Sequence, residues 1–112
     1  FTIPGLETNI KDQINSVDEI PVQPMMFELY QNYPNPFNPS TTIKYSLINS
    51  EYVTLKVFDI LGNEIKTLVS EIKPAGMHEV VFNSTNGLAS GVYFYELRIA
   101  GQVTSRKMIL TK

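Results

Sequence analysis

Three prolines within six residues, in the string Tyr33-Pro34-Asn35-Pro36-Phe37-Asn38-Pro39, constrain this chain more than any other feature. Each proline fixes its own φ near −65°, lacks an amide donor and pushes the residue before it toward extended geometry. The string is therefore neither helix nor central strand and reads as a stiff, extended lead-in. It opens onto Thr41–Leu47, where polar and apolar residues alternate with period two, the signature of a strand with one buried face. Six of the seven prolines precede residue 40, whereas five of the six glycines follow residue 60. This switch divides a proline-punctuated amino-terminal stretch from a region of short, turn-linked runs, with the boundary near Met26.

Residues 1–26 mix Pro4, Gly5, Pro21 and Pro24 with scattered apolar positions and read as a linker from an upstream domain. The spacing of Ile10, Ile14 and Val17 suits a helical turn or two, too short to stand alone. From Phe27 onward the expected strands are Phe27–Gln31, Thr41–Ile48, Tyr52–Ile60, Glu64–Val69, a fifth run through His78, Val80 and Phe82, then Val92–Ala100 and Val103–Lys112. Turn chemistry separates them: Leu61-Gly62-Asn63, in which Gly62 supplies a positive φ; Lys73-Pro74-Ala75-Gly76; the loop Asn83–Ser90; and Gly101-Gln102. About seven short strands with regular turns indicate an all-β antiparallel sandwich of immunoglobulin or fibronectin III type.

In such domains a tyrosine two residues before a core position of strand F bonds back to the upstream backbone. Leu88–Tyr95 fits, with Tyr93 as the corner and Tyr95 in the core. The chain has no cysteine, so no disulfide bridges the sheets. The expected core is Tyr45, Val53, Leu55, Val57, Phe82, Tyr95, Leu97 and Ile99, each worth ~1.5–3 kcal/mol on burial before conformational entropy is subtracted.

Composition excludes several functions. The net charge is −2, split as −3 over residues 1–26 and +1 over residues 27–112, with no basic patch of the density that nucleic-acid binding requires. No apolar run approaches the ~20 residues that span a bilayer. His78 is the sole histidine, and together with Asp59 and Ser90 it is a coincidence of composition rather than a catalytic triad. His78 reads as a half-buried strand-end residue beside a turn. Asn32, Asn35, Asn38 and Asp59 could offer oxygens to calcium but form no dense Asp-x-Asp loop, and they read as turn residues. Phe27, Tyr30, Tyr33 and Phe37 suit a sugar platform or, better, a cover for an open edge. Asn83-Ser84-Thr85 matches a glycosylation acceptor and reads as an ordinary loop. No catalytic residue, cofactor or metal is expected.

The Pro34-Asn35-Pro36 string, Val53–Asp59 with Gly62, Ala75–His78, Leu88–Tyr95, Lys107 and Lys112 occur in an order and spacing that resemble the type A C-terminal sorting domain of the type IX secretion system. The resemblance covers about Phe27 to Lys112. It implies a non-catalytic signal in Gram-negative bacteria, recognised by an outer-membrane translocon after the cargo reaches the periplasm. A surface sortase often removes the signal, leaving the cargo at the surface or in the medium. Gly91, Tyr93, Lys107 and Lys112 match the family's most characteristic residues. Physically, Gly91 and Tyr93 hold the strand-F corner. The terminal strand, as an edge, offers unpaired backbone and charged side chains. Recognition is therefore expected at Lys107, Ile109 and Lys112, and removal of Lys107–Lys112 is expected to expose little core. Two other readings compete: a fibronectin-like adhesion or carbohydrate-binding module, and a structural domain like that of flagellar hook-capping proteins, which the proline string also resembles.

Overall fold

A computed structural model describes residues 27–84 and 87–112. The expected linker, residues 1–26, lies outside the described residues, as does Thr85 of the acceptor pattern. The strands in chain order are β1 (Phe27–Leu29), β2 (Ser40–Leu47), β3 (Glu51–Asp59), β4 (Glu64–Lys73), β5 (Gly76–Asn83), β6 (Gly91–Ile99) and β7 (Gln102–Leu110). They form two antiparallel sheets, β1-β2-β5 and β4-β3-β6-β7. This is the expected immunoglobulin/fibronectin III-type sandwich.

Alternation makes the core. On β2 the side chains of Ile43, Tyr45 and Leu47 face inward, on β3 Val53, Leu55 and Val57, and on β6 Tyr93, Tyr95, Leu97 and Ile99; all are buried. All eight expected core residues are at most 1% exposed. Phe27, Leu29, Phe37, Ile43, Leu47, Val69, Met108 and Leu110 are buried with them. Phe37 packs edge-on against Phe82 at 6.0 Å between ring centres.

β4 departs from strict alternation. Its register against β3 shifts twice, so Leu68 and then Ile65 stand as extra residues beside the β3 ladder. A bulge of this kind returns the following side chain to the same face, which is how Ile65, Leu68 and Val69 all pack on the core. β1 ends two residues earlier than expected, at Leu29, and β4 runs four residues further, to Lys73.

The turns use side chains as well as glycine. In the β3–β4 turn Gly62 has φ +89°, and Asp59 Oδ1 accepts from the amides of Leu61 and Asn63 at 2.9 Å each. These bonds, led by that from Asn63, hold the Asp59 carboxyl below its usual pKa. At the sandwich corner the Tyr93 hydroxyl donates to the Ala89 carbonyl at 2.6 Å, the upstream backbone bond expected of it. Gly91 enters β6 with φ +150°. His78 lies half-buried beside the β4–β5 turn, stacked on Tyr45 and donating from Nε2 to the Pro74 carbonyl.

Candidate functional site: the terminal strand and its strap

β7 is an edge of the four-stranded sheet, paired with β6 along its whole length from Gln102–Ile99 to Leu110–Gly91. Alternation turns Met108 and Leu110 into the core, at 0% and 1% exposure, and leaves Lys107 exposed and Ile109 half-buried on the outer face. Lys112, two residues past the strand, is exposed.

The proline string does more than lead into β2. It crosses to β7 and bonds to its free edge. The Ile109 amide donates to Asn35 Oδ1 at 2.9 Å, the Phe37 amide donates to the Ile109 carbonyl at 2.9 Å, and the Thr111 amide donates to the Phe37 carbonyl at 3.0 Å. Gln31 Nε2 donates to the Lys107 carbonyl at 2.8 Å. The unpaired backbone expected at the terminus is thus already occupied at Lys107, Ile109 and Thr111 by a strap made of residues 31–39. Proline suits the strap because only the Phe37 backbone and the Gln31 and Asn35 side chains supply bonding groups to β7, and an amide at Pro34, Pro36 or Pro39 would need a partner of its own. The peptide bonds preceding these three prolines are cis.

A buried polar network anchors the strap to β2. Asn32 and Thr41 are each 2% exposed. Asn32 Nδ2 donates to Thr41 Oγ1 at 3.0 Å and to the Pro34 carbonyl at 3.1 Å, while its Oδ1 accepts from Gln31. The Thr41 hydroxyl donates to the Pro34 carbonyl at 2.8 Å. Tyr33 and Thr42 exchange backbone bonds, and at the far end the Ser84 amide and hydroxyl both donate to the Pro39 carbonyl. Every polar atom of the Asn32 side chain therefore has a partner, as a buried carboxamide requires.

Two further bonds tie the β1 segment to the other sheet, one from β7 and one from β6. Arg106 Nε donates to the Leu29 carbonyl, and the buried Tyr95 hydroxyl donates to the Tyr30 carbonyl, both at 2.7 Å. Burial pushes the Tyr95 phenol up to about 12, against the pull of the Asn32 backbone amide and, less, of the Arg106 charge.

Of the residues singled out in the sequence, Gly62, Gly91 and Tyr93 stand at turns and the corner. Pro34, Asn35 and Pro36 lie in the strap, and Lys107, Ile109 and Lys112 lie on or just beyond the strand it covers. The structure joins Asn35 to Ile109, two positions that the sequence kept apart. Of the four aromatics of the edge, Phe27 and Phe37 are core residues, whereas Tyr33 is 81% exposed. Asn32, Asn35 and Asp59 spend their side-chain oxygens on internal donors. Gln31, Asn32 and Thr41 carried no signal beyond their polarity, because the groups they meet come from another strand or turn.

The model of the family described as "Secretion system C-terminal sorting domain" matches residues 31–111, from the first strap residue to the last residue bonded to it. The chain belongs to this family. It is a type IX secretion signal family, not a catalytic one, so this sorting domain directs export toward the cell surface or the extracellular space. No curated protein matches the chain. Among solved structures, an uncharacterised protein from Bacillus anthracis str. Ames is similar in fold, with a TM-score of 0.53 and 11% identity over 66% of this chain and 72% of that one.

Proposed function

We propose that residues 27–112 are the sorting domain proper, joined by residues 1–26 to an upstream cargo, and that Lys107, Ile109 and Lys112 are the side chains the type IX machinery reads. The cargo passes through the periplasm, is taken up by the outer-membrane translocon, and is released or anchored at the surface by a sortase. The observation that carries this reading is the placement of the terminal strand. It is held between β6 and the strap with Met108 and Leu110 in the core, so that Lys107 and Ile109 stand outward in fixed positions. A rigid display of this kind lowers the ordering cost of recognition.

The test is a reporter bearing a Sec signal at its amino terminus and the 112-residue chain at its carboxy terminus, produced in a type IX-competent bacterium. Reporter activity is expected at the surface or in the medium, and in the periplasm when the translocon is inactivated. Periplasmic retention in competent cells would sink the reading.

A further inference from the structure

From Lys107 to Thr111 the terminal strand has little backbone left to offer. The outward carbonyl of Lys107, both backbone groups of Ile109 and the amide of Thr111 are bonded to the strap. Met108 and Leu110 are buried. What the strand presents is the outer-face side chains of Lys107 and Ile109, and these do not stand alone.

Register places Glu64, Phe58, Phe94 and Lys107 side by side across β4, β3, β6 and β7 in one row. In the next row Val92 lies opposite Ile109. Phe58, Phe94, Val92 and Ile109 are half-buried on the outward side of the sheet, opposite in parity to the core residues Val57, Tyr93 and Met108. The β3–β4 turn brings Ile60 and Leu61 to the same end, 69% and 83% exposed. Chain segments far apart in sequence thus build one apolar patch.

Its charges are lopsided. At the β4 side Glu64 is neutralised by Lys56 at 3.2 Å, whereas Lys107 at the β7 side has no carboxylate partner among the described residues. Of the other carboxylates at hand, Glu96, two residues along β6 on the same face, is paired with Arg98 at 3.4 Å, and Asp59 is committed to its turn. An apolar centre with an uncompensated cation on one rim is complementary to an apolar surface with a carboxylate beside it.

We propose that this outer-face row, and not the backbone edge of β7, is the docking surface of the sorting domain, and that its occupant is a protein of the export machinery presenting an apolar patch with a carboxylate opposite Lys107. The proposal rests on the sorting reading and specifies the surface it uses. Phe94 is the central anchor, Ile109 and Phe58 flank it, and Lys107 fixes orientation.

The test uses the full chain behind the reporter, with each variant also purified and its denaturation midpoint measured. Phe94→Thr keeps a strand-favouring residue but removes the ring, and Lys107→Glu reverses the rim charge at an exposed position. Both are expected to lower export at least about tenfold, the factor that follows from losing 1.4 kcal/mol of binding. Lys107→Arg, which keeps the rim charge, is expected to export better than Lys107→Glu, and Met77→Thr and Val81→Thr on the outer face of the other sheet are expected to export normally. Should Phe94→Thr fail to fold, Lys107→Glu and the exposed pair Ile60→Ser with Leu61→Ser decide in its place. Wild-type export unaffected by these variants would overturn the surface while leaving the sorting reading intact. So would lowered stability without lowered export, which would give the row a structural role only, or a change of oligomeric state alone, which would assign it to a second copy. A wild-type chain that fails to export removes the sorting reading itself.

Discussion

Tyr93 and Tyr95 sit two residues apart on the same face of β6, yet their hydroxyls do different work. Tyr93 closes a local corner through the Ala89 carbonyl, whereas Tyr95 reaches the Tyr30 carbonyl from within the core. Tyr93→Phe is expected to destabilise by roughly 0.5–1.5 kcal/mol, the loss of one hydrogen bond, and Tyr95→Ala by about 3–5 kcal/mol through the cavity it leaves. Denaturant midpoints check both, and equal, negligible losses would remove β6 from the core. Tyr95 also sets a limit at high pH. Its folded pKa is raised to about 12 by burial, above the ordinary phenol value of 10.0, so the unfolded chain loses that proton first. Its contribution is complete below pH ~10 and lost as pH rises toward 12. Stability measured across that interval is expected to fall less steeply in Tyr95→Phe, and an unchanged slope would refute the assignment.

At the scale of elements, the strap and β7 are one unit. Asn35→Ala removes the acceptor of the Ile109 amide, an expected loss of about 0.5–1.5 kcal/mol, and should speed hydrogen exchange at Ile109 while leaving that of Tyr95 nearly unchanged. Equal protection at Ile109 in both proteins would show that the strap does not hold the strand. The sequence made β2, β3 and β6 legible because their alternation is uninterrupted, as in Val53, Leu55 and Val57. It made the Tyr93 corner legible because that bond spans only four residues. The inward set of β4 was hidden: Ile65, Leu68 and Val69 lie at spacings of three and one, which only two bulges reconcile with a single face. The strap's role was hidden for a different reason. Proline spacing announces extended chain but not its partner, and Asn35 meets Ile109 across 74 residues.

For the whole molecule, the terminal strand cannot be treated as a detachable address. Losing Lys107–Lys112 takes Met108 and Leu110 out of the core and leaves Asn35 and Phe37 without their bonds, contrary to the expectation that little core would be exposed. The truncated chain is expected to lose at least about 4 kcal/mol, since each of two buried aliphatic side chains costs ~2–5 kcal/mol on removal. A sigmoidal denaturation curve with an unchanged midpoint would contradict this. Export lost on such a deletion therefore reports folding as much as recognition, and side-chain variants at Lys107 or Phe94 separate the two.

The parallel bridge between Phe37 and Leu110 sets an order of events. Ribosomes add residues one at a time from the amino end, at ~5–20 per second, and partly made domains wait with apolar surface uncovered. The strap is made early and its partner strand late, so the Asn35 and Phe37 bonds form only after Ile109 and Thr111 have been added. A chain that stops short of them carries a bare β6 edge in place of a finished face. If the outer-face row is what the export machinery reads, it grips only chains in which β7 has been made and folded against its strap, and folding itself proofreads synthesis.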